Sequence, residues 1–296
     1  MSDNLVTEAA SRPLEGGRRI SLNWIGAAPF FGYVALFLLL PTGIVVAGAF
    51  TGNNGFSLDN FAALNQDFIV RAFTNSVLLS AVSAIVGAVL GALFAYAVVT
   101  GNPRGALRRI VQSMCGVLAQ FGGVTLAFAF IATIGNVGFV TLWLQSHGLD
   151  PYANGVWLYD VPGLVLVYTY FEIPLMVLVF LPALDGIRPQ WREATESLGG
   201  STWHYWRYVA GPLLLPAFLG CTLLLFANAL SAYATAAALI SQGNPIVPKA
   251  IANLLTSETS AAPGLAQVLA LGMIVIVAVV MVSYSVLQQR TARWLR

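Results

Sequence analysis

Glu172 is the residue on which intramembrane chemistry could rest, because it stands inside an apolar run from 162 to 184. About ten residues into that run, at roughly 1.5 Å each, it falls close to the centre of a hydrocarbon layer about 30 Å thick. An ionisable group at that depth is costly and faces a cavity or a partner. Tyr168 lies one turn earlier on the same helical face. A carboxylate beside an aromatic ring can hold a cation through charge and through the ring face. Pro174 loosens the helix nearby. A second arrangement stays open, in which a protonated Glu172 hydrogen-bonds to a neighbouring span, with Gln120 as the partner. Asn228 and Tyr233, in the outer half of another apolar run, are further pathway candidates, each with a structural reading of its own.

The other chemically distinct stretch, Glu193 to Pro212, is a polar island between two very apolar runs. Such a loop is suited to docking, not to catalysis. Pro189 is placed for the first turn of a helix over 190–198, and Gly199-Gly200 supplies its stop. Ser201 or Thr202 can cap a second short helix, Trp203 to Tyr208, dense in the amphipathic aromatics that lie at headgroup level. Gly211-Pro212 is expected to end it before the next span. The loop therefore reads as helix, turn, helix, and Arg192, Glu193 and Glu196 have no partner within a membrane.

The elements that must position these groups follow from composition. Of 296 residues 58% are hydrophobic and 9% charged, with a mean hydropathy of +0.78, unlike the surface mixture of a water-soluble domain. Six runs are long enough to cross a bilayer, near 25–49, 73–99, 110–133, 162–184, 213–237 and 264–287. They are too long and continuous for barrel strands, so all six are expected as helices, an all-α polytopic membrane bundle. Along the second run Ser83, Gly87, Gly91 and Ala95 recur every four residues, a small-residue face that lets helices approach closely within the bundle. Gly122-Gly123 in the third run is a packing site or a hinge.

Charge sets the orientation. Twelve of the fourteen cations lie on one side of a six-span arrangement, only Arg71 and Lys249 falling on the other. Lys and Arg favour the cytoplasmic side of short loops. Both termini and the Glu193 loop are thus expected in the cytoplasm, and the net charge of +2 reflects topology, with no nucleic-acid partner implied. Residues 1–20 are expected to be a flexible cytoplasmic tail and 21–296 the membrane domain, with its cytoplasmic loop at 185–212. A cleaved twin-arginine leader around Arg18-Arg19 fits less well, since the apolar run is longer than the ~7–15 residues of a signal core and five more spans follow.

Catalytic classes find no support. Cys115 and Cys221 fall inside spans with no Cys-x-x-Cys or Cys/His spacing, and His147 and His204 are expected on opposite sides of the membrane, so no metal site is expected. There is no His-Glu-x-x-His, Gly-x-Ser-x-Gly or Gly-rich phosphate loop. The only lysine, Lys249, is expected on the outer side, where it cannot serve a Walker-type loop. Any driving energy must come from an ion gradient or another polypeptide.

At this point the loop resembles a known family, the permease subunits of binding-protein-dependent ABC importers. These carry Glu-Ala-Ala, three residues, Gly, nine residues, then Ile-x-Leu-Pro. Glu193, Ala194, Gly199 and Pro212 match at that spacing; Thr195 replaces the second Ala, Val209 stands for Ile and Gly211 for Leu. Ser57-Leu58-Asp59-Asn60-Phe61, Asn75-Ser76 and the six-span layout extend the resemblance over most of the chain. It implies the type I importer permease architecture and an inner-membrane location. It also implies a coupling helix seated in a cleft of a separate ATPase that binds ATP and Mg, so this chain carries no cofactor and is not itself an enzyme. A second permease, expected to be a paralogue, and a periplasmic binding protein complete the set, with lipid around it. The branch most similar serves spermidine and putrescine, with iron, thiamine and aminophosphonate importers close by. The alternative is a secondary transporter driven by an ion gradient. That class predicts charge relays or interrupted helices repeated in both halves. The sequence offers one intramembrane carboxylate and no convincing inverted repeat.

Overall fold

The computed structural model describes residues 23–52, 55–101, 105–153, 155–240, 245–256 and 263–294; the tail expected over 1–20 lies outside them. The chain forms two units, residues 1–44 and 45–296. The first carries α1 (Asn23–Val34), a π-turn (Ala35–Leu39) and the start of α2 (Leu40–Ala49). In the second, a short hairpin of β1 (Thr51–Gly52) and β2 (Gly55–Phe56) leads through α3 (Asp59–Ala62) into α4 (Asp67–Thr100). There follow α5 (Ala106–Gln120), α6 (Gly123–Ile134), α7 (Phe139–Ser146) and α8 (Val161–Asp185). The Glu193 loop holds α9 (Pro189–Ser197) and α10 (Thr202–Tyr205). The chain then continues through α11 (Gly211–Ser231), α12 (Ala234–Leu239), α13 (Val247–Thr256) and α14 (Pro263–Trp294).

Among the described residues six stretches are long and apolar enough to cross a membrane: Ala28–Ala49, Asp67–Thr100, Gly123–Ser146, Val161–Asp185, Thr202–Ser231 and Gly264–Val286. Four agree with the sequence reading in place. The third does not: the run expected as one helix over 110–133 breaks at Phe121-Gly122, between α5 and α6, where Gly123 takes φ +71°. The fifth differs at both ends. Gly211-Pro212 does not stop the loop helix; α10 runs through a π-turn (Trp206–Ala210) straight into α11, and the helix then breaks at Ala232-Tyr233, short of the expected 237.

The π-turn explains the first of these differences. Pro212 has no N–H, and its ring presses on the carbonyl one turn back. Widening the turn relieves that pressure, so the Gly211 N–H bonds to the Trp206 carbonyl, five residues earlier. A Cβ on Gly211 would lie 2.4 Å from that carbonyl oxygen, which accounts for glycine where the resembled motif has leucine. The same device precedes Pro41, where the Leu40 N–H bonds to the Ala35 carbonyl.

Packing centres on α4 against α8. The small-residue face of α4 is buried there: a Cβ on Gly87 would fall 2.6 Å from Glu172 Cβ, and one on Gly91 would fall 2.5 Å from Met176 Cβ. Two apolar cores meet along α8. One surrounds Leu164, Val167, Tyr168 and Phe171; the other holds Met176, Val177 and Phe180 with Cys115 and Leu225. Glu172 sits between them, and α8 stays helical through both Pro174 and Pro182.

The Asn75-Ser76 pair acts as a clasp. Asn75 Nδ2 donates to the Pro245 carbonyl at 3.2 Å, and the buried Ser76 Oγ accepts from the Val247 N–H at 2.9 Å. Both bonds fix the entry to α13 against the start of α4. Ser76→Ala orphans a buried N–H, a cost of about 1–3 kcal/mol. We expect faster hydrogen exchange at Val247 and a lower Tm in that variant; exchange as slow as wild type would show that the clasp does not hold the segment.

Candidate functional site

Two places on this scaffold carry the polar groups that the sequence singles out. The first is the Glu193 loop. Its α9 is held by its own ends, since none of its residues is buried. Pro189 occupies the first turn, and Arg192 Nε pairs with Glu196 Oε1 at 3.0 Å. The C-terminus closes as a Schellman motif: the Gly199 N–H bonds to the Glu196 carbonyl and the Gly200 N–H to the Thr195 carbonyl. Gly199 takes φ +78°, the left-handed conformation that motif needs. Gly200 is required for space, because a Cβ there would lie 2.7 Å from Thr195 Cγ2. Ser201 then caps α10, its N–H donating to His204 Nδ1. Glu193, Ala194 and Leu198 are exposed, while Val209 and Pro212 are half-buried in the helix that follows.

The second place is the middle of the membrane. Arg108 on α5 pairs with Asp185 at the loop-side end of α8, fixing the register of these two antiparallel helices. From that ion pair, Gln120 on α5 and Glu172 on α8 both lie roughly 20 Å inward at about 1.5 Å per residue. The break at Phe121-Gly122 is therefore at the depth of Glu172. So is the end of α11: Asn228 Nδ2 donates to Glu172 Oε1 at 3.2 Å, one turn before the break at Ala232-Tyr233. The two breaks touch. Thr235 Oγ1 donates to the Gly123 carbonyl at 3.2 Å, and the Tyr168 hydroxyl donates to the Ala232 carbonyl at 2.6 Å. Irregular backbone at membrane depth is tolerated only where protein buries it or where it lines an aqueous cavity.

Between the breaks lies a cavity of about 230 Å³, lined by Gly122, Gly123, Phe171, Asn228, Tyr233 and Thr235 among others. Asn228, Ser231, Tyr233 and Gln120 are exposed on this chain, a polar surface where hydrocarbon would be unfavourable. Glu172 is wholly buried behind Asn228, and its second oxygen, Oε2, has no hydrogen-bonding partner among the described residues.

The structure thus brings Glu172, Tyr168, Asn228 and Tyr233 into one neighbourhood but changes two roles. The partner of Glu172 is Asn228 on the fifth span, not Gln120, which is exposed at the end of α5. The Tyr168 ring is fully buried against Phe171 with its hydroxyl spent on Ala232, so its face is closed to a cation. Thr235 was missed by sequence reasoning, which read Gly123 only as half of a packing or hinge doublet. The Gly122-Gly123 doublet is a readable breaker signal. Ala232-Tyr233 carries none.

The known proteins that this chain resembles are membrane subunits of transport systems. The chain is 26% identical over 203 residues to the ferric transport system permease protein FbpB of Actinobacillus pleuropneumoniae, covering 67% of this chain but 28% of that one. It spans only about a third of the length of such relatives. It is 24% identical over 258 residues to the spermidine/putrescine transport system permease protein PotC of Haemophilus influenzae, covering 83% and 93%. The fold is that of a chain in the crystal structure of a bacterial ABC transporter involved in import of the acidic polysaccharide alginate, with a TM-score of 0.75 at 18% identity over 91% of this chain and 95% of that one. Residues 90–293, which take in both broken spans and the Glu193 loop, match the family pattern throughout, and the chain belongs to the binding-protein-dependent transport system inner membrane components.

Proposed function

We propose that this chain is the translocation subunit of an ATP-driven importer, its Glu193 loop seated in a cleft of a separate ATPase and its broken third and fifth spans lining the path of a small cationic solute, polyamine-like in chemistry. The observation that carries the reading is the helix from Thr202 to Ser231, continuous through its π-turn. At about 1.5 Å per residue it is a rod roughly 45 Å long. One end joins the capped loop and the other presents Asn228 and Ser231 to the cavity. Movement imposed on the loop therefore reaches the membrane centre without crossing a flexible joint.

In this reading the loop and both termini face the cytoplasm of a bacterial inner membrane, and ATP and Mg belong to the ATPase. A paralogous second permease completes the pathway, and a periplasmic binding protein delivers the solute. ATP must favour one arrangement of the spans and nucleotide release the other, or the rod transmits nothing. Glu193 holds the loop by polar contacts in the ATPase cleft.

The test is co-purification from native membranes in mild detergent, wild type against Glu193→Arg. We expect an ATPase and a second permease with wild type and loss of the ATPase with the variant. Recovery of no ATPase with wild type, under conditions that preserve other such complexes, overturns the reading. The interrupted spans are the one observation that favours an ion-driven carrier. Uptake that survives removal of the ATPase and collapses with the ion gradient would make that carrier the function.

A further inference from the structure

We propose that the cavity between the two helix breaks is a binding site for one protonated amine of the passing solute, with Asn228 at its surface and Glu172 behind it as the counter-charge. The proposal rests on the importer reading above and specifies the chemistry of its pathway.

Donors and acceptors at the cavity are unequally spent. The Thr235 hydroxyl donates to the Gly123 carbonyl, the Ser231 hydroxyl donates to the Asn228 carbonyl, and the Asn228 amide nitrogen donates to Glu172. These side chains have turned protons inward, onto the protein. What they keep for a visitor is chiefly acceptor capacity: two hydroxyl oxygens and the Asn228 amide oxygen, against one remaining Asn228 N–H and the Tyr233 hydroxyl, which can donate or accept. A solute group that brings its own donors is matched by such a surface, and an ammonium brings three.

Charge points the same way. Glu172 is one hydrogen bond behind the cavity wall, and one of its oxygens is buried without a partner. The opposing influence is the first turn of α6, whose N-terminus at Gly123 also borders the cavity. A helix terminus acts as about half an elementary charge, against a full one on a buried carboxyl once an arriving ammonium holds it ionised. The net preference is for a cation. Among the described residues no group of three His, Cys, Asp or Glu side chains comes together, so a soft or borderline metal has no ligand set of that kind here. Phe171, Ala119 and Ala232 give the cavity an apolar side, which suits the methylenes flanking an alkylammonium.

The test uses thiol labelling in the full membrane complex. With Cys115 and Cys221 replaced by Ala, Ser231→Cys is labelled in turn by aminoethyl and sulfonatoethyl methanethiosulfonate, with and without Glu172→Gln. Glutamine keeps the shape of Glu172 and an acceptor for Asn228, so recovery of the complex at wild-type yield serves as the folding control. We expect the cationic-to-anionic rate ratio to fall about tenfold when Glu172 becomes Gln, and putrescine to slow labelling in the presence of Glu172. A ratio that Glu172→Gln leaves unmoved, or protection by sulfate and not by putrescine, overturns the site. If the ratio falls but neither putrescine nor spermidine protects or is taken up, the amine site stands and the polyamine reading falls. If polyamine is taken up by wild type and the ratio does not move, the importer reading stands and the site falls.

Discussion

Gly199→Val is expected to abolish solute uptake while leaving the membrane bundle folded. A β-branched residue at φ +78° pays about 1–2 kcal/mol against its backbone. It also threatens both bonds of the Schellman closure, from Gly199 to Glu196 and from Gly200 to Thr195. α9 cannot absorb that loss. It has nine residues, none buried, and helices so short are marginal in water without their caps. The exposed Arg192–Glu196 pair returns only about 0.3–0.5 kcal/mol. The direction of the chain between α9 and the long helix would then be lost, and with it the fixed angle at which, in the proposed reading, the loop meets an ATPase. The substitution series makes the mechanism specific. Asn enters the left-handed region readily, Ala less so and Val least, so uptake should fall in the order Gly, Asn, Ala, Val. Uptake and ATP hydrolysis measured on the same reconstituted complexes separate loss of coupling from loss of the complex. Wild-type uptake by Gly199→Val would mean that the left-handed turn is not needed for coupling.

Much of this loop was legible in the sequence, because its signals are local. Pro189 at a helix start, a Gly-Gly stop and a Ser cap act within a few residues of where they are written, and α9, the turn and the cap stand where those residues put them. Gly211-Pro212 misled for the same reason. Read locally, Gly-Pro ends a helix, but a π-turn lets the helix continue, and whether it does so depends on the apolar run that follows. The spans were legible from hydropathy alone, which depends only on composition over about 20 residues.

The interior of the site was legible in part. Glu172 is conspicuous because a carboxylate among apolar residues has few explanations, and the structure gives it a neighbour, Asn228, from 56 residues along the chain. No local pattern selects Asn228 over Gln120 as that neighbour. The choice is made by the break after Gln120, which leaves Gln120 on the surface, and by α11 packing against α8. The break at Ala232-Tyr233 was unreadable because its cause is tertiary: the Tyr168 hydroxyl takes the Ala232 carbonyl and Thr235 reaches the Gly123 carbonyl. The first bond occupies a backbone group that a continuous helix would have used for itself, and the second ties the segment beyond the break to the start of α6.

The position of Glu172 depends finally on two glycines, and Gly91→Val is expected to remove the folded protein altogether. The Cβ it introduces would lie 2.5 Å from Met176 Cβ and 2.8 Å from the Ile173 carbonyl oxygen. Neither is the far end of a flexible side chain, so relief requires α4 and α8 to move apart. Separation there opens a close-packed part of the bundle, where Ala84, Ala88, Ala95, Met176 and Val177 are buried together. Overpacking a close helix contact costs about 1–3 kcal/mol even where backbones can shift, and here the contact is made by backbone and Cβ atoms. Ser83→Ala is the control on the same face: among the described residues its hydroxyl bonds only to its own helix, at Leu79 and Ser80, so its loss should be nearly neutral. Size-exclusion profiles and Tm of the solubilised protein would show a lost or aggregated peak for Gly91→Val and a wild-type one for Ser83→Ala. A monodisperse Gly91→Val protein with unchanged Tm would refute the close approach. Gly87→Ala then asks the functional question. Its methyl would lie 2.6 Å from Glu172 Cβ, so even this smallest change pushes the carboxylate away from α4. If Glu172 serves the cavity through Asn228, Gly87→Ala should lower the cation preference at Ser231→Cys in protein that still folds, whereas a carboxylate that only fills space would leave that preference unchanged.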